Sequence, residues 1–68
     1  MDTGRKDANI QIGKRLREAR LNMNLEKSEI ADVLDVTVEH YRKLEAGITG
    51  ISVDKVLTLY HKYGIDPI

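Results

Sequence analysis

The stretch of residues 25–47 constrains the fold more than any other part of this chain. It reads LEKSEIADVLDVTVEHYRKLEAG. Its apolar residues recur at helical spacing in two groups: Ile30, Ala31 and Leu34, then Val38, Tyr41 and Leu44. Because only residues 34–37 separate the two groups, the two predicted helices cannot lie side by side as in a long hairpin. They must cross at a steep angle.

The residues at the connection have the chemistry of a tight turn between helices. Asp35 is expected to reverse the chain in the left-handed conformation, which aspartate tolerates better than most residues other than glycine. Thr37 is expected to cap the second helix through its hydroxyl oxygen, and Gly47 to end that helix with a positive φ. Residues 25–47 are therefore predicted to form a helix-turn-helix, whose short helices need flanking segments to complete a core.

The segment before this unit is predicted to be an arm followed by a helix. Residues 1–8 lack apolar periodicity, which is typical of a flexible N-terminal arm. Beyond them one apolar stripe runs over three helical turns: Ile12, Leu16, Ala19 and Met23. Three basic residues lie off that stripe and are expected to be solvated: Lys14, Arg15 and Arg17. Asn22 and Asn24 mark the end of the helix, and Leu25 is interpreted as an apolar plug in the connection.

The segment after Gly47 predicts one more helix. Ser52 is positioned to cap this helix and Gly64 to end it. Its expected core-facing residues are Val53, Val56, Leu57 and Tyr60, extended by Leu59 and Tyr63. Residues 65–68, with aspartate before proline, are either the start of a fifth helix in a longer natural protein or a frayed turn. The prediction is an all-α, compact four- to five-helix bundle, with an arm at 1–8 and a domain at 9–68.

Composition limits the possible functions. The chain has 68 residues, and 11 basic residues balance 11 acidic ones. Six of the basic residues but three of the acidic ones lie within residues 1–20, and a neutral chain can still present a basic face. With no cysteine and no motif for zinc or for a phosphate loop, an enzyme, a metal site and a cofactor are not expected. Neither a secretory signal nor an apolar run of about 20 residues is present, so a soluble cytoplasmic protein is the default expectation.

Three motifs occur with the spacing of a known family. They are Ile12-Gly13-x-x-Leu16-Arg17-x-x-Arg20, Glu29-Ile30-Ala31-x-x-Leu34-x-Val36-Thr37 and Tyr41-x-Lys43-Leu44-Glu45-x-Gly47. Over residues 12–67 the chain resembles the phage-repressor/Cro-like helix-turn-helix family, also called the XRE family. The resemblance implies a lambda-repressor-like bundle that binds double-stranded operator DNA as a homodimer and regulates transcription, as a repressor in most members.

The resemblance also implies roles for particular residues. Arg20 matches a position that pairs with the acidic residue at Glu45, which would fix the angle at which the second helix of the motif projects. The implied DNA-contacting residues are Lys27, Thr37, Val38, Glu39, Arg42, Lys43 and Thr49. Val38 and Glu39 are expected at base edges. The basic residues are expected at guanine or phosphate, and the loop of residues 48–52 at phosphate.

Two alternatives remain open at this stage. Glu39 has the spacing for a salt bridge to Lys43, one turn later, without any contact to DNA. The rival function is a protein-binding or dimerisation module without specific DNA readout, which the neutral charge and the acidic residues Glu26 and Glu39 favour. The charge of the exposed helix face discriminates between the two functions. Converging basic side chains favour DNA binding, whereas a mostly acidic face favours the rival.

Overall fold

The computed structural model describes residues 3–68, which form four α-helices: α1 (Thr3–Asn22), α2 (Lys27–Val33), α3 (Val38–Ala46) and α4 (Val53–Tyr63). The helical spacing of the apolar residues therefore predicted the fold class correctly. α3 packs against both α1 and α2. None of the helices within residues 3–68 combines the length and the apolar character needed to cross a membrane.

The hydrophobic core lies where α3 meets the helices around it. Its buried apolar side chains are Leu16, Ile30, Ala31, Leu34, Tyr41, Leu44, Leu59 and Ile65. The predicted face of α2 is confirmed, and so is that of α3 except for Val38, which is exposed. Since the burial of one aliphatic or aromatic side chain contributes about 1.5–3 kcal/mol, this single cluster is the main source of stability.

All four helices of the described chain end at a residue with positive φ. Asp35 (φ 58°) follows α2 and Gly47 (φ 76°) follows α3, as the sequence predicted. Asn24 (φ 56°) follows α1 and Gly64 (φ 71°) follows α4. The left-handed residue turns the chain so that the next N–H groups donate back to the last helical carbonyls. Each helix therefore stops sharply, which fixes where the following one can start.

The first helix begins earlier than the sequence pattern suggested. α1 starts at Thr3, so residues 3–8, predicted to belong to a flexible arm, are helical. Residues 1 and 2 lie outside the described residues. A helix that is nucleated by its packed part propagates through polar residues when no proline interrupts it, and this segment contains none. The predicted division at residue 8 thus falls inside a helix, and the mobility of the segment stays a prediction.

The last residue of the predicted α1 stripe lies outside the core. Met23 is exposed, because α1 ends at Asn22 and the turn at Asn24 leads the chain away from the stripe. The rest of the stripe is buried or half-buried, as predicted: Ile12, Leu16 and Ala19. The basic residues expected off the stripe are exposed: Lys14, Arg15 and Arg17. Leu25, the predicted plug, is half-buried.

The predicted core face of α4 is wrong in part. Val53, Leu57 and Tyr60 are exposed, whereas Leu59 is fully buried. The remaining residues of the predicted face are half-buried: Val56 and Tyr63. The apolar residues of α4 occupy a wide arc of the helix, and the edge with Leu59 meets the core cluster, a choice that periodicity alone does not determine. Ser52 has the extended backbone of a cap, but its side chain makes no capping hydrogen bond within residues 3–68.

The final four residues pack against the bundle without forming a helix. Ile65 and Pro67 are buried, and the N–H of Ile68 donates to Asp66 Oδ1 at 3.2 Å. Arg15 Nη1 donates to the backbone oxygen of Ile68 at 2.7 Å, which ties this segment to α1. Residues 65–68 contain no helix, and a fifth helix beginning at the aspartate–proline pair stays a prediction.

Candidate nucleic-acid interface

α3 has a buried side and an exposed side. Tyr41 and Leu44 face the core and are almost completely buried. Four of the predicted DNA-contacting residues are exposed and form what we call the reading surface: Thr37, Val38, Glu39 and Arg42. Lys43 is half-buried beside them. Residues at the beginning of a helix reach base edges when that helix enters a major groove, so the reading surface is the candidate site for sequence readout.

The turn before α3 leaves this surface open to solvent. Asp35 adopts the left-handed conformation, and Thr37 Oγ1 accepts a hydrogen bond from the backbone N–H of His40 at 3.0 Å. Thr37 is thus the N-cap that the sequence predicted. Because its hydroxyl accepts only one bond here, its O–H remains able to donate to a phosphate oxygen.

Two residues of the reading surface are paired with each other. Arg42 Nη2 donates to Glu39 Oε2 at 2.7 Å, and Arg42 Nε donates to Glu39 Oε1 at 3.1 Å. These hydrogen bonds hold the pKa of Glu39 below its ordinary value and raise the pKa of Arg42. The sequence suggested Lys43 as the partner of Glu39, and the structure corrects this. The planar fork of arginine meets both carboxylate oxygens, which an ammonium group cannot do.

The basic residue at the start of α2 lies in a capped helix end. Lys27 is the first residue of α2 and is half-buried. The preceding residue, Glu26, is exposed, and its backbone N–H donates to Glu29 Oε1 at 2.9 Å. A helix N-terminus attracts anions, so Lys27 and the end of α2 favour a phosphate here, while the carboxylate of Glu26 opposes it.

The loop residue predicted to contact DNA points its hydroxyl inward. Thr49 is half-buried, and its Oγ1 is fully buried with no hydrogen-bond partner among residues 3–68. The structure therefore does not bring this hydroxyl onto the exposed side with the reading surface. A buried hydroxyl without a partner is unfavourable by about 1–3 kcal/mol, so any contact of this loop with phosphate uses backbone N–H groups or a rotated Thr49 side chain.

An acidic depression lies beside the turn. It is open to solvent and lined by Asp32, Asp35, Val36, Thr37 and His40. Two carboxylates close together repel a phosphate. The depression itself is therefore unfavourable for a DNA backbone, and it adjoins the reading surface, because Thr37 belongs to both.

A buried ionic network holds α3 to α1. Arg20 Nε donates to Glu45 Oε2 at 2.6 Å, and the Tyr41 hydroxyl donates to the same oxygen at 2.5 Å. Arg20 Nη1 also donates to the carbonyl of Leu25 at 3.0 Å. Arg20 is 7% exposed, and the hydrogen bond from its guanidinium to Glu45 raises its pKa. The structure thus brings together the two residues that the sequence suggested as a pair, and adds Tyr41 and the α1–α2 connection.

A glycine whose role the sequence did not reveal sets the distance between α1 and α3. A Cβ atom at Gly13 would lie 2.4 Å from the carbonyl oxygen of Glu45 and 2.6 Å from that of Leu44. Such a contact is impossible without moving a backbone. A glycine inside a helical pattern destabilises the helix by about 1 kcal/mol relative to alanine. The presence of such a glycine in α1 was therefore the one sequence signal for a close helix contact.

Comparisons with known proteins agree with this architecture. A model of the family described as helix-turn-helix matches residues 16–68. Over 61 residues the chain is 36% identical to an uncharacterised HTH-type transcriptional regulator of Rickettsia conorii, an alignment that covers 82% of this chain and 49% of the relative. The chain therefore spans about half the length of this curated relative. No solved structure matches the chain.

Proposed function

Because this chain belongs to the XRE family of helix-turn-helix proteins, we propose that it is a DNA-binding transcriptional regulator that reads the major groove with α3. The observation that carries the proposal is the division of α3 into two sides. One side is buried and tied to α1 through Glu45, and the other exposes the reading surface. A helix that is held by the core on one side and exposed on the other is suited to enter a major groove about 12 Å wide. The name of the Rickettsia relative, a transcriptional regulator, supports the same function.

Each residue of the interface has a contact that suits its chemistry. Val38 provides an apolar surface for a thymine methyl group, and Glu39 accepts from the amino group of cytosine. Arg42 donates to guanine O6 and N7, or to phosphate when it stays with Glu39. Two further cations fix the position of the protein on the backbone: Lys27 and Lys43. Thr37 and the loop with Thr49 complete the backbone contacts.

The pairing of Glu39 with Arg42 shapes this readout. In the free protein the guanidinium is already held in a defined orientation by two hydrogen bonds. On DNA the carboxylate either keeps Arg42, which then donates to phosphate, or exchanges it for a cytosine amino group and frees it for guanine. When the pair separates, a base pair that offers no partner leaves a charge uncompensated, and discrimination by a good bidentate contact is worth about 1–3 kcal/mol.

The proposed regulator acts as a homodimer on an operator of approximate two-fold symmetry. Two copies of a domain measuring 35 × 22 × 21 Å can lie side by side along half-sites one helical turn, about 34 Å, apart. Regulation then follows from occupancy, because a dimer that covers a promoter excludes the polymerase and represses transcription.

The test is selection from a pool of random duplex DNA at two salt concentrations, followed by sequencing of the retained fraction. The proposal expects a palindrome with half-sites one turn apart, whose affinity falls steeply with salt. Arg42→Ala and Lys43→Ala should weaken binding to the selected duplex and flatten its salt dependence. Arg17→Ala, which removes an exposed cation of α1, is the matched control. Unchanged affinity of both α3 variants would remove the reading surface from the interface.

A second candidate is a protein-binding module on the same fold. The observation in its favour is the acidic depression next to the reading surface in a chain of zero net charge. This candidate expects no enrichment of any duplex at either salt concentration, and binding of a basic partner that is lost in Asp32→Asn. Enrichment of a palindrome would decide against it.

A further inference from the structure

α4 carries an apolar stripe that the described chain leaves uncovered. Val53 is 75% exposed, Leu57 51% and Tyr60 58%. These positions are four and three residues apart, so their side chains lie on one face over two turns. We call these three residues the α4 stripe. The buried residue of the same helix, Leu59, points to the core instead. The apolar arc of α4 is therefore wider than the bundle covers, and the α4 stripe is its uncovered part.

We infer that the α4 stripe packs against the α4 stripe of a second copy, in antiparallel orientation about a two-fold axis near Leu57. This inference rests on the proposed function in that it names the surface that joins the two copies on DNA. A symmetric pair needs one surface that is complementary to itself. The α4 stripe meets this requirement, because Leu57 lies at its centre and an apolar residue lies on each side.

The polar side chains that flank the stripe favour the antiparallel arrangement. Asp54 lies in the first turn of α4 and His61 in the last turn, and both are exposed. They are seven residues apart and so lie on the same flank of the stripe. When two such helices run antiparallel, Asp54 of each copy lies beside His61 of the other, so that an imidazole N–H can donate to the carboxylate in two equivalent pairs. The opposed helix dipoles add to the attraction, whereas parallel helices would place like residues together.

The size of the stripe predicts a weak dimer. Three side chains form its centre, whereas stable protein interfaces involve about 20–30 residues on each side. The free chain should therefore associate at high micromolar concentration, and two half-sites on one duplex should promote pairing by raising the local concentration.

The first experiment measures self-association of the 68-residue chain without DNA, by sedimentation equilibrium over a concentration series. Leu57→Glu should raise the dimer Kd at least tenfold, because two carboxylates then meet at the axis. Leu21→Glu is the matched control, since Leu21 is 47% exposed on α1 and its substitution should leave Kd unchanged. Circular dichroism melting of each variant checks that the fold is intact. Self-association that persists in Leu57→Glu overturns the inference.

The second experiment tests the orientation. The chain has no cysteine, so Leu57→Cys introduces one thiol that an antiparallel pair places opposite its copy. Oxidation should cross-link Leu57→Cys much faster than Leu21→Cys, and equal rates overturn the inference. Asp54→Lys should weaken the dimer several-fold, and His61→Glu in the same chain should restore it. A failure of the double variant to recover contradicts the antiparallel arrangement.

Failure of this inference is distinguishable from failure of the proposed function. A duplex with one selected half-site binds a single copy, so Leu57→Glu should bind it like the unmodified chain and lose only the tighter binding to the palindrome. Equal loss on both duplexes contradicts a role in pairing. Self-association through α4 without binding to any DNA supports the inference and refutes the proposed function.

Discussion

At the residue scale, the carboxylate of Glu45 is the centre of a buried network that joins α3 to α1. It accepts hydrogen bonds from Arg20 on α1 and from Tyr41 on its own helix, while Arg20 also donates to the carbonyl of Leu25. Because the ion pair is removed from water, its net value depends on complete satisfaction of both partners. Arg20 and Tyr41 both donate to the carboxylate of Glu45, and Arg20 uses a further N–H on Leu25, so both ions have hydrogen-bond partners.

Removal of one partner should therefore be strongly destabilising. Arg20→Ala leaves the Glu45 carboxylate buried without its cation, which we expect to lower the free energy of unfolding by about 3–5 kcal/mol. For a domain of this size that corresponds to a fall in Tm of roughly 12 °C or more. Arg17→Ala, an exposed arginine of the same helix, should melt close to the unmodified chain. Thermal melts that are equal for the two variants would contradict the role of the pair.

The same network predicts a dependence of stability on alkaline pH. Burial, and then the hydrogen bond to Glu45, raise the pKa of Tyr41 far above its ordinary value of 10. The folded state thus holds this proton more tightly than the unfolded state, so the contribution is complete below about pH 10 and is lost as the pH rises further. The loss should reach about 1.4 kcal/mol per pH unit for this one group.

Melting curves between pH 8 and pH 11.5 test this prediction. Tyr41→Phe should flatten the alkaline decline, although it also lowers stability at pH 8 because the hydroxyl bond is gone. Part of the decline should remain, since burial also raises the pKa of Tyr63. Tyr60→Phe is the control for an exposed tyrosine. If Tyr41→Phe and Tyr60→Phe give the same slope, Tyr41 does not hold its proton as proposed.

At the scale of elements, the approach of α1 to α3 depends on the missing side chain at Gly13. Gly13→Ala would place a Cβ 2.4 Å from a backbone carbonyl oxygen of α3, so the helices must separate, and we expect a loss of about 1–3 kcal/mol from strain. Gly4→Ala is the matched control on the same helix, because no described atom lies within 4 Å of its Cβ position. That change should be neutral or stabilising, since alanine favours a helix. Equal Tm values for the two variants would contradict the close contact.

The elements also show which features the sequence could predict. The turn at Asp35, the cap at Thr37 and the end at Gly47 were predictable because they depend on the backbone preferences of single residues. The side of α4 that faces the core was not, because Leu57 and Leu59 are equally apolar and the choice is made by helices distant in sequence. The prediction that Met23 belongs to the core stripe was wrong for a related reason. The apolar spacing continues to Met23, but α1 ends at Asn22.

The candidate site likewise contains features that the sequence could predict and features that it could not. The exposure of Arg42 follows from the burial of Tyr41, because adjacent residues of a helix point about 100° apart. The exposure of Val38 does not follow in this way, because a residue three positions before Tyr41 belongs to the same helical face. The partner of Glu39 depends on side-chain rotamers and could not be derived from spacing, because Arg42 and Lys43 are both within reach. The inward hydroxyl of Thr49 depends on the path of a loop, which the sequence leaves undetermined.

At the scale of the whole molecule, a chain without net charge must bind a polyanion through the local arrangement of its charges. Here the acidic depression directly adjoins the reading surface, since Thr37 belongs to both. Non-specific attraction to DNA should therefore be weak. Specific contacts must then contribute a larger share of the affinity than in a strongly basic domain.

We therefore predict that the carboxylate of Glu39 lowers the affinity for DNA. Glu39→Gln removes one negative charge from the reading surface and should raise the affinity for arbitrary duplex DNA several-fold, while it lowers discrimination between operator and non-operator. Glu18→Gln changes the net charge equally but at an exposed site on α1, and should have a much smaller effect. Fluorescence anisotropy with both duplexes checks this. If the two variants behave alike, net charge and not position governs the binding.

Along α3, residues that maintain the fold alternate with exposed residues of the reading surface, and this arrangement affects how such a protein can evolve. Tyr41, Leu44 and Glu45 maintain the fold, while Val38, Glu39 and Arg42 face outward and bear little of the stability. Substitutions at the outward positions can therefore accumulate without endangering folding, and a new target sequence is reachable by small steps through functional intermediates. The outward side chains of this nine-residue helix can therefore be exchanged as a set while the inward ones stay. Grafting another set of outward side chains onto the same inward ones should redirect the protein to a different site in the genome.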